Sequence, residues 1–485
     1  MPSNDSLHRK VMSGLFWSVT QSWGGKLIAL ALFMVLARVL DPHEFGVFAA
    51  AMAVLAFLNI FVDQGLGEAI VQRPQVTPQL LNTVFLLNLV IAVIIVGIVW
   101  VASPLIAARM GIEELTDILR VASVILPVSA LSFSQQAMQR RNFHYRWLAA
   151  CTLASILISG ALGIWLALHG YGAWSLVVQA TSAAMVTTVL LWLKPQWSIS
   201  FETDFQGAKP LLVYGFNRLG MNLLDFANTR YVELFLAVAL GPAALGIYLV
   251  GVRVYQALMQ ALSSAILDVA HNGFSRLAHD KARVRAAYYK AMTVTAAIAV
   301  PAFIFLAMLA PEATLLFFGN QWRASADVMQ PMALLGAIQV LQFYNGTACN
   351  ALGKPSISFY FMIFKTMVTF LTLWLVRDQS LLTIVYWYVG SQIATTPVSF
   401  YLIYRVLGVS VAVIIKRIWP YLLACLAAAA MMEGIRLLGI ASEWLSASRL
   451  LLLASVGVTV YVAFVVLIAR REVGDLLSSL RRQSD

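Results

Sequence analysis

The chain alternates between long apolar stretches and short polar connections along nearly its whole length. The apolar stretches have the length of about 20 residues that a helix needs to cross a bilayer. A β-barrel would instead show segments of about ten residues with alternating polarity, and the chain lacks them. The predicted fold class is therefore an all-α polytopic membrane protein with about fourteen transmembrane helices. They are predicted near residues 13–38, 44–69, 80–108, 115–138, 147–168, 172–193, 210–239, 243–269, 288–310, 325–350, 356–376, 380–404, 412–438 and 447–469.

Composition agrees with this prediction. The 485 residues are 61% hydrophobic and 11% charged, whereas soluble domains carry about 25% charged residues. The first apolar stretch is too long for the apolar core of a signal peptide, so we expect it to remain in the protein. No connection is long enough to form a separate soluble domain.

The basic residues predict how the chain is oriented. Alternate connections hold 21 lysines and arginines, while the opposite connections hold about 7. Because basic residues collect in cytoplasmic loops, both termini, including a tail over residues 470–485, are predicted to be cytoplasmic. The net charge of +11 is therefore mainly a topology signal, and we expect no nucleic-acid partner.

A turn sequence occurs twice. LDPHEFGVF starts at Leu40 and LGPAALGIY starts at Leu240, each between two apolar stretches. A second pair, AMQRRNFHYRW and ALGKPSISFYF, recurs at an offset of 214 residues. These matches predict two parallel six-helix lobes, residues 1–193 and 210–404, followed by an extra helix pair, 412–469. Transporters rock such repeats around a site near the middle of the membrane.

Four cations are predicted near the middle of the membrane: Lys26, Arg218, Arg253 and Lys365. Asp225 is the only acid predicted at a comparable depth. Charges inside the membrane are costly and usually face a cavity. An uncompensated excess of positive charge therefore indicates a cavity for an anionic guest.

Amides accompany the two arginines at helical spacing. Asn222 follows Arg218, while Gln256 and Gln260 follow Arg253. Weaker polar stripes occur on the fourth predicted span (Ser132, Gln135, Gln136 and Gln139) and on the tenth (Gln339, Gln342, Gly346 and Asn350). Such faces line a hydrated space or bond neighbouring helices together, and the sequence leaves both interpretations open. The predicted substrate-binding residues are Lys26, Arg218, Asn222, Arg253, Gln256, Gln260 and Lys365.

Asp225 is the predicted site of ion coupling, because a carboxylate beside Arg218 could alternate between pairing with a cation and binding a proton. The alternative is a permanent ion pair with Arg218 or Arg230. The six histidines lack metal-ligand spacing and no nucleotide-binding motif is present, so we expect no cofactor and no metal site.

Several motifs together carry a resemblance that covers nearly the whole chain. They are LARVLDPHEFG, the DxGLxxAIVQR pattern from Asp63 to Arg73, FGNQW at Phe318 and FKT at Phe364. In this order they resemble the polysaccharide-transport family of the MOP flippase superfamily, the Wzx-type proteins, and the colanic-acid-exporter branch most closely. Gln64 departs from the pattern, since the family usually has an aromatic residue there.

The resemblance implies a non-enzymatic flippase of the bacterial inner membrane. Its substrate would be an oligosaccharide repeat unit linked to polyprenyl (undecaprenyl) pyrophosphate, moved from the cytoplasmic to the periplasmic leaflet for exopolysaccharide, capsule or O-antigen synthesis. The extra helix pair would flank a groove for the lipid tail or would stabilise the second lobe. Membrane lipids are expected partners, and other polysaccharide assembly proteins are candidate partners. Three alternatives stay open: a peptidoglycan lipid-precursor flippase, a MATE-like exporter, and a membrane-embedded polysaccharide polymerase or ligase.

Overall fold

The computed structural model describes residues 24–73, 75–200, 202–440 and 446–468. The predicted start of the first span and the predicted tail over residues 470–485 lie outside these ranges. The chain packs as two compact units that divide after Leu249. The predicted boundary between six-helix lobes lies earlier, at residues 193–210, and the lobes stay a prediction.

The first unit is built from helices alone over its described residues. Ten of them lie wholly within it: α1 (24–39), α2 (Pro42–Asp63), α3 (Leu66–Gln72), α4 (Pro78–Met110), α5 (Leu115–Ala122), α6 (Ile125–Arg141), α7 (Tyr145–Leu168), α8 (Ala173–Leu193), α9 (Phe205–Thr229) and α10 (Tyr231–Ala239). The next helix, α11 (Gly241–Arg276), begins in the first unit and continues into the second.

The second unit continues with helices over its described residues: α12 (Lys281–Met308), α13 (Ala310–Phe317), a 3-10 turn (Asn320–Trp322), α14 (Arg323–Ala351), α15 (Pro355–Leu375), α16 (Leu381–Leu407), α17 (Val411–Leu437) and α18 (Ser446–Ile468). In this unit α12 packs against α14 and α17, and α14 packs against α16.

Eleven helical segments of the described chain are long and apolar enough to cross a membrane. Each corresponds to one predicted span, which confirms the all-α polytopic class. The first predicted span falls partly on α1, the seventh on α9 and α10, and the twelfth on α16. The count of fourteen stays a prediction.

Three predicted spans are divided by breaks in the helix. The second span breaks at Gln64 and Gly65, which both have a left-handed backbone, with φ of 45° and 70°. The fourth breaks at Ser123, and the seventh breaks at Arg230, between α9 and α10. Hydropathy reports only the average apolar content of a segment, so it does not register an interruption of the helical hydrogen bonds within an apolar stretch.

The duplicated turn starts two helices that meet in the first unit. Asp41 caps α2, because its carboxylate accepts the backbone N–H of Glu44 while the Glu44 carboxylate accepts the N–H of Asp41. A Cβ atom added at Gly46 would lie 1.7 Å from the Pro242 carbonyl oxygen, and one added at Gly246 would lie 2.0 Å from that of Pro42. Each proline therefore packs directly on the glycine of the other copy.

The extra helix pair is anchored to the second unit by a buried acid. Glu312 on α13 is 5% exposed and pairs with Arg436 on α17 at 2.6 Å and with Arg449 on α18 at 3.4 Å. The Tyr461 hydroxyl on α18 donates to the Ala297 carbonyl. These contacts favour a stabilising role for the pair, and the lipid-tail groove stays a prediction.

Candidate functional site

A cavity of about 780 Å³ lies inside the first unit, among α2, α3, α4, α6, α7, α8 and α9. Two predicted substrate-binding residues, Arg218 and Asn222, line it from one face of α9. Its volume falls within the range of about 300–1,000 Å³ that is typical of small-molecule sites. We take this cavity as the candidate functional site.

One wall of the cavity is the segment Asp63–Arg73, which carries the DxGLxxAIVQR pattern. At its start the chain leaves α2 and turns through Gln64 and Gly65 into α3. A Cβ atom added at Gly65 would lie 2.8 Å from Cγ of Arg218. Glycine at this position therefore permits the left-handed turn and also the close approach of the arginine stem.

The end of α3 is held by two arginines of the first unit. Arg141 donates to the carbonyl oxygens of Ile70, at 3.0 Å, and Arg73. Arg73 donates to the Gly207 carbonyl on α9 at 2.8 Å. A cation at the carboxyl end of a helix satisfies carbonyls that have no partner within the helix. These bonds fix α3 and the residues that it presents to the cavity.

The charges around the cavity are balanced. Arg218 pairs with Glu68 at 3.4 Å, and Arg140 donates to Gln136 at 3.4 Å. Asp63 is the fourth charged residue of the lining. Two arginines and two acids leave no net charge here, so the excess of positive charge predicted from the sequence is absent from this cavity.

Sequence reasoning missed Glu68 and gave little weight to Asp63. Both lie near the end of the second predicted span, so neither was counted at the depth of the cations. The break at Gln64 and Gly65 redirects the chain and brings Glu68 to an arginine 150 residues away. The family pattern contains Asp63 and surrounds Glu68, which is the signal that could have indicated this wall.

The polar stripe of the fourth predicted span divides between two roles. Gln135 and Gln139 are buried, and their amides donate to the carbonyls of Trp197 and Lys194, which follow α8. Ser132 and Gln136 instead line the cavity. The inter-helix interpretation thus applies to half of this stripe and the hydrated-space interpretation to the other half.

Two further predicted residues of the first unit lie outside the cavity lining. Lys26 is exposed on α1, and Asp225 is exposed on α9. Asp225 has no ion pair within the described chain, because Arg218 contacts Glu68 and Arg230 contacts Glu233 at 2.9 Å. The structure therefore gives no support to the permanent ion pair considered for Asp225.

The remaining predicted residues belong to the second unit. Arg253, Gln256 and Gln260 follow one face of α11, and Lys365 lies on α15. One turn beyond Lys365, the Thr369 hydroxyl accepts a bond from the buried Gln392 amide at 2.9 Å. The joint action of the four cations stays a prediction.

Two amides of the tenth predicted span, on α14, bond to neighbouring helices. Gln339 accepts the Tyr255 hydroxyl of α11 at 2.6 Å, and Gln342 donates to Thr396 of α16 at 2.8 Å. Their observed role is to join helices of the second unit.

Throughout the described residues, no three or more His, Cys, Asp or Glu side chains are grouped so that they could hold a metal.

Comparisons with known proteins agree with the fold and the motifs. The model of the family described as polysaccharide biosynthesis protein matches residues 35–327. The succinoglycan biosynthesis transport protein ExoT of Rhizobium meliloti is 26% identical, over 74% of this chain and 73% of that protein. The lipopolysaccharide biosynthesis protein WzxC of Escherichia coli is 23% identical, over 75% of this chain and 74% of that protein.

Solved structures share the fold at low sequence identity. The lipid II flippase MurJ, in an inward closed conformation, matches with a TM-score of 0.74 and 12% identity, over 95% of this chain and all of that one. An inward-facing MATE family multidrug transporter of the MOP superfamily matches with a TM-score of 0.57 and 15% identity, over 79% and 94% of the two chains. The apolar helices and this shared fold identify a multi-pass membrane protein.

Proposed function

Because the chain belongs to the polysaccharide biosynthesis protein family, we propose that it is a flippase for oligosaccharide repeat units linked to polyprenyl pyrophosphate. It would carry them from the cytoplasmic to the periplasmic leaflet of the inner membrane. The fold shared with a lipid II flippase supports translocation of a lipid-linked molecule, and relatives named for succinoglycan and lipopolysaccharide biosynthesis support a polysaccharide precursor.

The observation that carries the proposal is the position of Arg218 in the first-unit cavity. Within the described part of the chain, its guanidinium pairs with Glu68 alone, at 3.4 Å, and the two side chains are 35% and 54% exposed. An ion pair this accessible contributes at most about 1 kcal/mol. Arg218 is therefore a cation whose partner can be exchanged.

A pyrophosphate is a stronger partner for Arg218 than Glu68 is. It offers several acceptor oxygens to the planar guanidinium, and bidentate charge-assisted hydrogen bonds of this kind are among the strongest in proteins. When the pyrophosphate displaces Glu68, the carboxylate of Glu68 loses its partner and repels the bound anion. This repulsion favours later release of the anion. Weak internal pairing thus lets the site bind the headgroup and still let it go.

The other predicted residues complete the proposed path. Asn222 lies one helical turn from Arg218 and would contact the headgroup beside it. Lys26, Arg253 and Lys365 would hold the anion at other stages, with Gln256 and Gln260 along the path of the sugars. Asp225 stays the proposed site of ion coupling.

The test replaces Arg218 in a strain that lacks the chromosomal gene. Arg218→Ala should lower polysaccharide export to background, because losing a charge-assisted hydrogen bond costs about 1.5–3 kcal/mol, or roughly 10–100-fold in affinity. Arg218→Lys should restore part of the export, since lysine keeps the charge but not the planar fork. Arg253→Ala should also abolish export. Arg109→Ala, an exposed arginine at the end of α4, is the control and should export normally.

The same strains also separate the alternatives. Lipid-linked repeat units should accumulate on the cytoplasmic leaflet of the deletion strain and of the Arg218→Ala strain. In the Arg218→Ala strain the variant protein should be inserted at normal levels. Accumulation of peptidoglycan precursor instead would identify a peptidoglycan flippase. Full complementation by both arginine-to-alanine variants would show that the anion mechanism is wrong.

A further inference from the structure

The cavity of the first unit has a second wall, which is uncharged. We call it the neutral wall and define it as Asn88 on α4, Ser129 and Gln136 on α6, and Thr187 on α8. The neutral wall lines the same cavity as the charged residues, which are Asp63, Glu68, Arg140 and Arg218. A guest whose anion reaches Arg218 would therefore present its neighbouring groups to the neutral wall.

Asn88 is the most informative residue of this wall. Its side chain is 1% exposed, and neither its amide nitrogen nor its amide oxygen has a hydrogen-bond partner in the part of the chain that the structure describes. Buried polar groups in proteins are nearly always paired, so an unpaired one requires an explanation. Since Asn88 lines a cavity, a polar guest provides that explanation.

Another buried asparagine on the same helix shows what a structural amide looks like here. Asn82 donates to the Ser200 hydroxyl and to the Glu202 carbonyl, and its amide oxygen accepts the Ser200 N–H at 3.2 Å. Both ends of its amide are satisfied by the segment that precedes α9. Asn88 lies on the same helix, faces the cavity, and has no such bonds.

The other members of the wall also keep free hydrogen-bonding capacity. Within the described chain, the hydroxyls of Ser129 and Thr187 donate to no other group, and the Gln136 amide nitrogen has no acceptor. Thr181, which lies on α8 outside the cavity lining, instead donates its hydroxyl to the Val177 carbonyl at 2.8 Å. Three other hydroxyls of the lining, those of Ser132, Thr152 and Ser155, donate to backbone carbonyls, whereas those of Ser129 and Thr187 are available to a guest.

These groups fit an uncharged, hydroxyl-rich ring. An asparagine amide presents a donor and an acceptor side by side, and adjacent hydroxyls of a sugar present the same pair in return. A phosphate fits this wall less well, because its oxygens and the Asn88 amide oxygen are both hydrogen-bond acceptors. A phosphate would instead bind Arg218 in the same cavity. We propose that the neutral wall binds the sugar nearest the pyrophosphate, an inference that rests on the function proposed above.

The test measures binding of two soluble probes to the full-length protein in nanodiscs. The first is inorganic pyrophosphate, which reports on Arg218. The second is a panel of uncharged methyl glycosides, comprising a hexose, a deoxyhexose and an N-acetylhexosamine, followed by saturation-transfer NMR, which detects millimolar binding. Wild-type protein should bind at least one glycoside saturably.

Two near-isosteric variants remove the wall's hydrogen bonds. Asn88→Leu and Thr187→Val should each weaken glycoside binding at least tenfold and leave pyrophosphate binding within twofold of wild type. Thr181→Val is the matched control on α8, since its hydroxyl is satisfied within its own helix, and it should bind both probes normally. Arg218→Ala should give the converse result, losing pyrophosphate and keeping the glycoside.

The outcomes distinguish this inference from the proposed function. No glycoside binding, together with pyrophosphate binding that depends on Arg218, would overturn the neutral wall and leave the flippase proposal standing. Sodium binding that is lost in Asn88→Leu, without glycoside binding, would show a cation site instead and would also overturn it. Failure of both probes would contradict both proposals.

Discussion

Gly65 sets the geometry of the candidate site through the absence of a side chain. Its φ of 70° lies in the left-handed region, and the Arg218 stem occupies the space where a Cβ would stand. Gln64 before it is also left-handed, and its side-chain amide donates to the Phe61 carbonyl at 2.7 Å at the end of α2. The turn therefore ends one helix, starts the next and makes room for the arginine.

We predict that Gly65→Ala abolishes export. An alanine in the left-handed conformation costs about 1–2 kcal/mol of stability. Its methyl group also pushes Arg218 away from Glu68 and the cavity. Export by the complemented deletion strain and the yield of folded, monodisperse protein are the measurements.

Gly111→Ala is the matched control, because Gly111 has a φ of 66° but open space around it. It should lose a similar amount of stability and still export polysaccharide. Equal loss of export in both variants would show that backbone strain alone, and not contact with Arg218, is responsible.

At the scale of helices, the contact between α2 and α11 explains why the turn sequence occurs twice. Two helix starts with proline at the beginning and glycine four residues later can approach until backbone touches backbone, as at Gly46 with Pro242 and Gly246 with Pro42. Small residues allow such close approach in membranes, where packing holds helices together. A contact between equivalent residues of the two copies accounts for the occurrence of the same spacing in both.

Gly46→Ala should therefore separate the starts of α2 and α11. The new Cβ meets a carbonyl oxygen that belongs to the backbone, so the helices must move, at a cost of typically about 1–3 kcal/mol for an overpacked site. The midpoint of thermal unfolding of the purified protein should fall.

Gly97→Ala offers the comparison, since Gly97 lies within α4 with nothing within 4 Å of an added Cβ. Alanine is the better helix former there by about 1 kcal/mol, so stability should hold or rise slightly. An unchanged unfolding midpoint for Gly46→Ala would contradict the close contact.

The whole molecule is a multi-pass membrane protein of the polysaccharide biosynthesis family, and its charge distribution bears on its orientation. Arg73, Arg140 and Arg141 lie at the end of the first unit where α3 and α6 finish, and they border or support the cavity. If basic connections are cytoplasmic, the cavity lies toward the cytoplasmic side of the membrane.

A reporter fused after Asp485 should be active in the cytoplasm. The basic residues in alternate connections predict a cytoplasmic N-terminus, and an even number of spans returns the chain to the same side. A reporter inserted at Gly170, in the connection between α7 and α8, is the counterpart and should be active in the periplasm. Exclusively periplasmic activity after Asp485 would exclude fourteen spans with a cytoplasmic N-terminus.

The sequence alone determined the class of the protein, the position of most spans, the repeated turn and the family. These depend on local properties, since the apolar length of a segment and the spacing of a motif are readable without knowing its neighbours. The same reasoning selected Arg218 and Asn222, which line the cavity, because an arginine within an apolar span needs polar surroundings wherever it packs.

Only the tertiary structure decided which groups meet. Glu68 faces Arg218 because the chain breaks at Gln64 and Gly65, and Asn88 faces a cavity while Asn82 on the same helix is fully bonded. Both asparagines look alike in sequence, since each is an amide within an apolar stretch. Their difference arises from residues more than a hundred positions away, and such pairings are set by packing and not by any local pattern.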